Sequence, residues 1–163
     1  MADKENITYI SILTDILRKK ELVLRELLDA TNRQGALLER EEFDIDDFNR
    51  IVDEKEVSLN RLAELDEGFM ELYEKVRTEL VENTSAYAQQ VREVQMLVRT
   101  QTELSTLLQS AEEKNRTKLS IHLSQSRQKV KDYHVSSATA AAYYKNMSGK
   151  HQDGDSYFFN RKK

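Results

Sequence analysis

The amino-acid sequence predicts an all-α protein, a long antiparallel helical hairpin extended into a three-helix coiled-coil bundle with a flexible C-terminal tail. Three observations predict this fold. The 163 residues include no proline and 4 glycines, although these two residues usually mark turns and loops. Long stretches are amphipathic with helical periodicity. One of them carries a nearly unbroken heptad repeat. Loop-rich folds such as β-sandwiches and Rossmann domains are therefore excluded.

The first predicted helix covers about residues 6–40. Its apolar residues follow steps of three and four, and Lys20, Thr31 and Gln34 occupy the remaining positions of the same seam. Asn6 is a suitable N-cap. Gly35 lies inside the pattern, where it marks either a close helix contact or an early helix end. The apolar seam residues are Ile10, Leu13, Leu17, Leu24, Leu27 and Leu38.

The second predicted helix covers about residues 46–82, and Asp44 or Asp46 caps its start. Ten seam positions alternate steps of four and three, and eight of them are apolar. The two exceptions are Lys55 and Asp66, and polar seam residues of this kind often set the register of a coiled coil. The seam positions are Phe48, Val52, Lys55, Leu59, Leu62, Asp66, Phe69, Tyr73, Val76 and Leu80.

The third predicted helix covers about residues 86–134, after the capping residues Asn83, Thr84 and Ser85. Its seam runs through Leu104, Leu107, Leu108 and Ala111 and then reaches a polar stretch, 112–118. Apolar residues resume more thinly from Leu119. This thinning predicts that the C-terminal part of the helix has fewer partners within the bundle.

Residues 135–163 change in composition. A small-residue run leads to Tyr143 and Tyr144, and polar residues with Gly149 and Gly154 follow. We expect an elongated bundle over residues 1–134 and a flexible tail over 135–163. The tail aromatics either dock on the bundle or contact a partner. Residues 1–82 hold 12 basic and 22 acidic side chains, and residues 83–163 hold 13 and 7.

The residue inventory argues against an enzyme. The chain has no cysteine, its three histidines are too widely spaced for a helical metal pair, and no glycine-rich loop is present to hold phosphate. We therefore predict no cofactor, no metal site and no small-molecule substrate. No apolar run reaches the roughly 20 residues of a membrane helix, no signal peptide is evident, and no nucleic-acid-binding motif accompanies the basic end.

Several features together resemble the FlgN-like flagellar export chaperones. They are the opening Ile/Leu helix, the segments 37–39, 55–56 and 65–66, Glu113-Lys114-Asn115 before Leu119, and Tyr143-Tyr144-Lys145 before a loose tail. The resemblance covers about residues 7–147. It implies a cytoplasmic protein that binds the C-terminal helical region of hook-associated proteins, prevents their premature assembly and delivers them to the type III export apparatus.

The thinned seam and the small and aromatic run indicate where such a partner would bind. The predicted contact residues are Leu119, Leu123, Val130, Tyr133, Ala140, Tyr143 and Tyr144. The alternative is a structural coiled-coil adaptor or spacer that forms homo-oligomers, in which Lys55 and Asp66 pair between chains. A nucleic-acid-binding basic tail is the least favoured of the binding interpretations, because no nucleic-acid-binding motif accompanies the basic residues. It predicts steeply salt-dependent DNA binding.

Overall fold

The computed structural model describes residues 4–125. They form three long helices, α1 (Lys4–Leu38), α2 (Ile45–Glu82) and α3 (Ala88–Gln125), with a short 3₁₀ turn at Thr84–Tyr87 before α3. Within these residues there is no strand. The predicted all-α fold of long antiparallel helices is thereby confirmed. The predicted continuation of the third helix to residue 134 and the tail 135–163 lie outside the described residues and stay predictions.

Cross-helix pairs define the directions of the helices. Lys20 meets Asp66 and Arg33 meets Glu54, so residue numbers rise along α1 as they fall along α2, and the two helices are antiparallel. The side-chain amides of Gln101 and Asn115 in α3 donate hydrogen bonds to the backbone carbonyls of residues 17 and 31, respectively. Residue numbers therefore rise together along α1 and α3, and the two helices are parallel. The helix α1 packs along both α2 and α3, whereas the backbones of α2 and α3 rarely come close.

The connection between α1 and α2 is short and acidic. Asp44 is the N-cap of α2, and its carboxylate accepts a hydrogen bond of 2.9 Å from the backbone N–H of Asp46. Asp46 and Asp47 lie in the first turn, where negative charge favourably meets the helix dipole. Phe43 is buried at the end of the bundle and fixes the connection against the hairpin.

The helix α1 already includes Lys4, so the predicted capping role of Asn6 is wrong. Asn6 lies inside the helix, and its side-chain amide donates a hydrogen bond of 3.4 Å to the hydroxyl of Tyr87. Tyr87 is fully buried in the 3₁₀ turn. The contact therefore ties the start of α1 to the connection between α2 and α3.

The interior follows the seam predicted for α1. Lys20, Thr31 and Gln34 are buried together with the apolar residues of their row. Three apolar clusters succeed one another along the bundle. We call the third one the distal cluster, and it lies beside the connection between α1 and α2. Its buried members are Ala30, Leu37, Leu38, Phe43, Phe48, Ile51 and Leu119.

Candidate partner-binding site

The distal half of α3 is joined to the hairpin by a buried polar network. The ammonium group of Lys55 in α2 forms an ion pair with Glu112 in α3 and donates a hydrogen bond of 2.8 Å to Oε1 of Gln34 in α1. The hydroxyl of Thr31 lies 3.0 Å from Oε1 of Glu112. The side chains of Lys55 and Glu112 are 7% and 4% exposed, so the pair is almost fully shielded from water.

Asn115 extends this network and explains Gly35. The amide of Asn115 donates a hydrogen bond of 2.8 Å to the backbone carbonyl of Thr31. A Cβ atom added at Gly35 would lie 2.9 Å from Oδ1 of Asn115, which is too close for an ordinary contact. The helix α1 continues past Gly35 to Leu38. Of the two alternatives left open by the sequence, the structure therefore selects the close helix contact.

Burial sets the electrostatics of the network. Desolvation lowers the pKa of Lys55 below its ordinary value, and the attraction and hydrogen bond of Glu112 oppose this shift. The ion pair joins α2 to α3, and its attraction offsets part of the free-energy cost of removing the ammonium group from water. A second polar pair, Lys20 with Asp66 at 2.7 Å, joins α1 to α2 nearer the middle of the bundle.

The distal cluster lies beyond the polar network, and α3 covers it with few side chains. Leu119 is the buried α3 member of the cluster, and Leu123 packs against it half-buried. His122 adds an edge-on contact with Phe43, with ring centroids 5.0 Å apart. Its Nε2 atom lies 3.0 Å from the carbonyl oxygen of Leu38. Lys118 forms an exposed ion pair with Glu39.

The structure places two of the seven predicted contact residues. Leu119 is 5% exposed, so a partner reaches it only if the end of α3 separates from the hairpin. Leu123 lies at the edge of the same cluster and remains half-exposed. The other five, Val130, Tyr133, Ala140, Tyr143 and Tyr144, lie outside the described residues.

The thinning of the apolar seam predicted fewer partners for the C-terminal part of α3, but residues 112–119 still contribute buried side chains to the bundle. Glu112 and Asn115 lie in the interior with Leu119, and their positions continue the seam of Leu104 and Leu108. Hydropathy does not reveal this continuation, because the residues that continue the seam are polar. The polar seam residues of the other two helices, Thr31, Gln34 and Lys55, are the sequence signal that could have predicted it.

A groove between α1 and α3 is the surface feature that sequence reasoning missed. It has a volume of about 460 Å³, and its walls include Leu28 and Gly35 of α1 and Leu107, Ala111 and Lys114 of α3. Leu107 was predicted to lie in the seam, but it is 56% exposed at the edge of the groove. The groove therefore offers apolar surface beside a positive charge.

Within residues 4–125, no group of three or more histidine and carboxylate side chains is arranged to hold a metal ion. No helix in the same range is long and apolar enough to span a membrane. The described residues provide a helical hairpin with a third helix packed along it, and the outer surface of the third helix combines apolar and charged side chains.

The comparisons with known proteins agree with the resemblance drawn from the sequence. A family model described as FlgN protein matches residues 1–147. Neither the curated proteins nor the solved structures gave a match. The family match covers all three helices and continues 22 residues past the end of α3.

Proposed function

The chain belongs to the FlgN family of flagellar export chaperones, and on that premise we propose that its clients are the hook-associated proteins of the hook–filament junction. In this proposal the chain works in the cytoplasm. It binds the C-terminal helical region of a client, prevents premature assembly and delivers the client to the type III export apparatus. The family match over residues 1–147 carries the proposal.

The shape of the bundle supports a binding role for helical clients. A partner helix docks most readily along a groove between two existing helices, where its apolar face is removed from water. In the described residues α3 presents such a groove against α1. Covering the apolar face of a client helix blocks the surface through which the client would associate with itself.

We further propose that the predicted contact residues bind the partner. The family match extends over Val130, Tyr133, Ala140, Tyr143 and Tyr144, and these follow directly from the end of α3. Leu119 and Leu123 lie where that segment begins. Leu123 is half-exposed at the edge of the distal cluster, so a client or the export apparatus can contact it without separating α3 from the hairpin.

The test is a binding measurement on the full chain. We expect a C-terminal helical peptide of a hook-associated protein to bind the wild-type chain, and Tyr133→Ala with Tyr144→Ala to weaken that binding by about tenfold or more, because buried aromatic anchors dominate such interfaces. Unchanged affinity in the double variant removes these residues from the site. It leaves the chaperone role itself standing if the wild-type chain still binds.

The structural-spacer alternative loses its specific support. Lys55 pairs with Glu112, and Asp66 pairs with Lys20, within one chain. Neither residue needs a second copy to be satisfied. Analytical ultracentrifugation with and without client peptide separates the two functions, because a spacer forms an oligomer that is indifferent to the client.

A further inference from the structure

The exposed apolar side chains of α3 share one flank of the helix. Met96, Leu107 and Ile121 are 66%, 56% and 54% exposed, and they follow one another at spacings of 11 and 14 residues. At 3.6 residues per turn these spacings are about three and four turns. The three side chains therefore form a row along the helix, which we call the outer row.

The outer row runs beside the groove between α1 and α3. Leu107 belongs to both, and Ala111 and Leu28 continue the apolar surface into the groove. Gly35 permits the backbone of α1 to lie close to α3 at this point. From Met96 to Ile121 the row is about 38 Å long at 1.5 Å per residue. A partner helix of about 25 residues matches that length.

The charge of the groove indicates which kind of partner helix it binds. Its lining in the described residues includes Lys114 and Lys118 and no carboxylate, although residues 4–125 hold 25 acidic and 17 basic side chains. Lys118 is paired with Glu39 at one end. Lys114 therefore supplies the positive charge of the groove, and it favours a partner that places a negative charge beside it.

The chain's own C-terminal segment has the wrong charge to occupy the groove. Residues 126–163 hold 8 basic and 3 acidic side chains, so docking them beside Lys114 would bring like charges together. Complementarity instead favours an amphipathic helix with an aliphatic row and acidic side chains on its flank.

We infer that the groove between α1 and α3, with the outer row of α3, binds an acidic amphipathic helix of the client. This inference rests on the proposed function and names the surface and the chemistry by which the bundle recognises its partner. Aliphatic side chains of the client helix lie along Met96, Leu107 and Ile121. A carboxylate on its flank pairs with Lys114.

The experiment uses isothermal titration calorimetry of the full chain with synthetic C-terminal helical peptides of hook-associated proteins from the same organism. Leu107→Asp tests the apolar row, and Val57→Asp is its matched control, because Val57 is 70% exposed on α2. Lys114→Glu tests the charge, and Arg61→Glu is its control on the exposed surface of α2. Melting followed by circular dichroism confirms that each variant folds.

We expect Leu107→Asp to weaken binding by about tenfold or more, as a charge placed in an apolar contact does. Lys114→Glu weakens it by about fivefold, with a reduced dependence on salt. The two controls stay within about twofold of the wild-type chain, as surface changes outside an interface do.

Three results overturn the inference. Equal affinity of Leu107→Asp and Val57→Asp, with loss of binding in the Tyr133→Ala, Tyr144→Ala variant, assigns recognition to the C-terminal segment instead. A wild-type dimer that Leu107→Asp disperses in ultracentrifugation makes the groove a contact between copies. Absence of client binding by the wild-type chain refutes the proposed function, and the inference falls with it.

Discussion

Replacing Lys55 with methionine while Glu112 remains removes the cation from the buried polar network. Glu112 is 4% exposed, so its carboxylate stays in the interior with the Thr31 hydroxyl 3.0 Å away. Breaking a buried ion pair on one side costs about 3–5 kcal/mol, because the remaining charge is left uncompensated. At a urea m-value of about 2 kcal/mol/M, the unfolding midpoint falls by about 1.5–2.5 M.

The double variant Lys55→Met, Glu112→Leu distinguishes this account from a simple loss of packing. Replacing both charges with apolar side chains of similar volume removes the desolvation cost together with the attraction. We expect the double variant to be more stable than Lys55→Met and to lie within about 1–3 kcal/mol of the wild-type value, because Oε1 of Gln34 still loses the donor that Lys55 supplied. Urea titration followed by circular dichroism at the helical band measures all four members of the cycle.

Two results would be inconsistent with a buried, coupled ion pair between Lys55 and Glu112. One is a cost below about 1 kcal/mol for Lys55→Met, which is the range of an exposed ion pair. The other is a double variant whose loss equals the sum of the two single losses, because independent sites add and coupled sites do not.

Three further predictions concern the same end of the bundle. Gly35→Ala gives no gain in stability in the wild-type chain, because the Cβ atom of the new alanine meets Asn115. In an Asn115→Ala background the same substitution stabilises the chain by up to about 1 kcal/mol, through the higher helix propensity of alanine. Thermal melting measures both effects, and equal effects in the two backgrounds contradict the close contact. Leu119→Ala lowers the free energy of unfolding by about 2–3 kcal/mol and speeds amide hydrogen exchange in the last turns of α3. The exposed control, Ile121→Ala, changes the free energy of unfolding by less than about 0.5 kcal/mol. Similar losses in the two variants argue against a buried Leu119. Burial lowers the folded-state pKa of Lys55, so the unfolded chain binds that proton more tightly than the folded chain does. The contribution of Lys55 to the free energy of unfolding therefore rises with pH as the solution approaches the ordinary lysine pKa of about 10.4. The free energy of unfolding of the wild-type chain minus that of Lys55→Met should increase between pH 8 and pH 10, and a constant or falling difference contradicts the lowered pKa.

The sequence predicted the fold well because the spacing of the apolar residues also identifies the polar residues that share their helix face. The steps of three and four placed Lys20, Thr31 and Gln34 on the buried side of α1, and all three are buried there. The acidic break before α2 was also recognisable, since capping residues mark a helix start directly. Asp44 fills that position.

The candidate site was harder to predict, for physical reasons that particular residues show. Glu112 lies in a polar stretch, where a carboxylate is usually hydrated, and its burial depends on Lys55, which lies 57 residues earlier in the sequence. Leu107 and Leu108 are adjacent and equally apolar. Their exposures of 56% and 0% depend on how α3 is rotated against α1, which the pattern of one helix does not determine.

The proposed chaperone role is tested most directly by titrating the full chain with the C-terminal helical peptide of a hook-associated protein from the same organism, with sedimentation of both species recorded in parallel. We expect saturable binding and a complex in which the client peptide no longer associates with itself. A chain that sediments as the same species with or without the peptide, and releases no heat on titration, would contradict it.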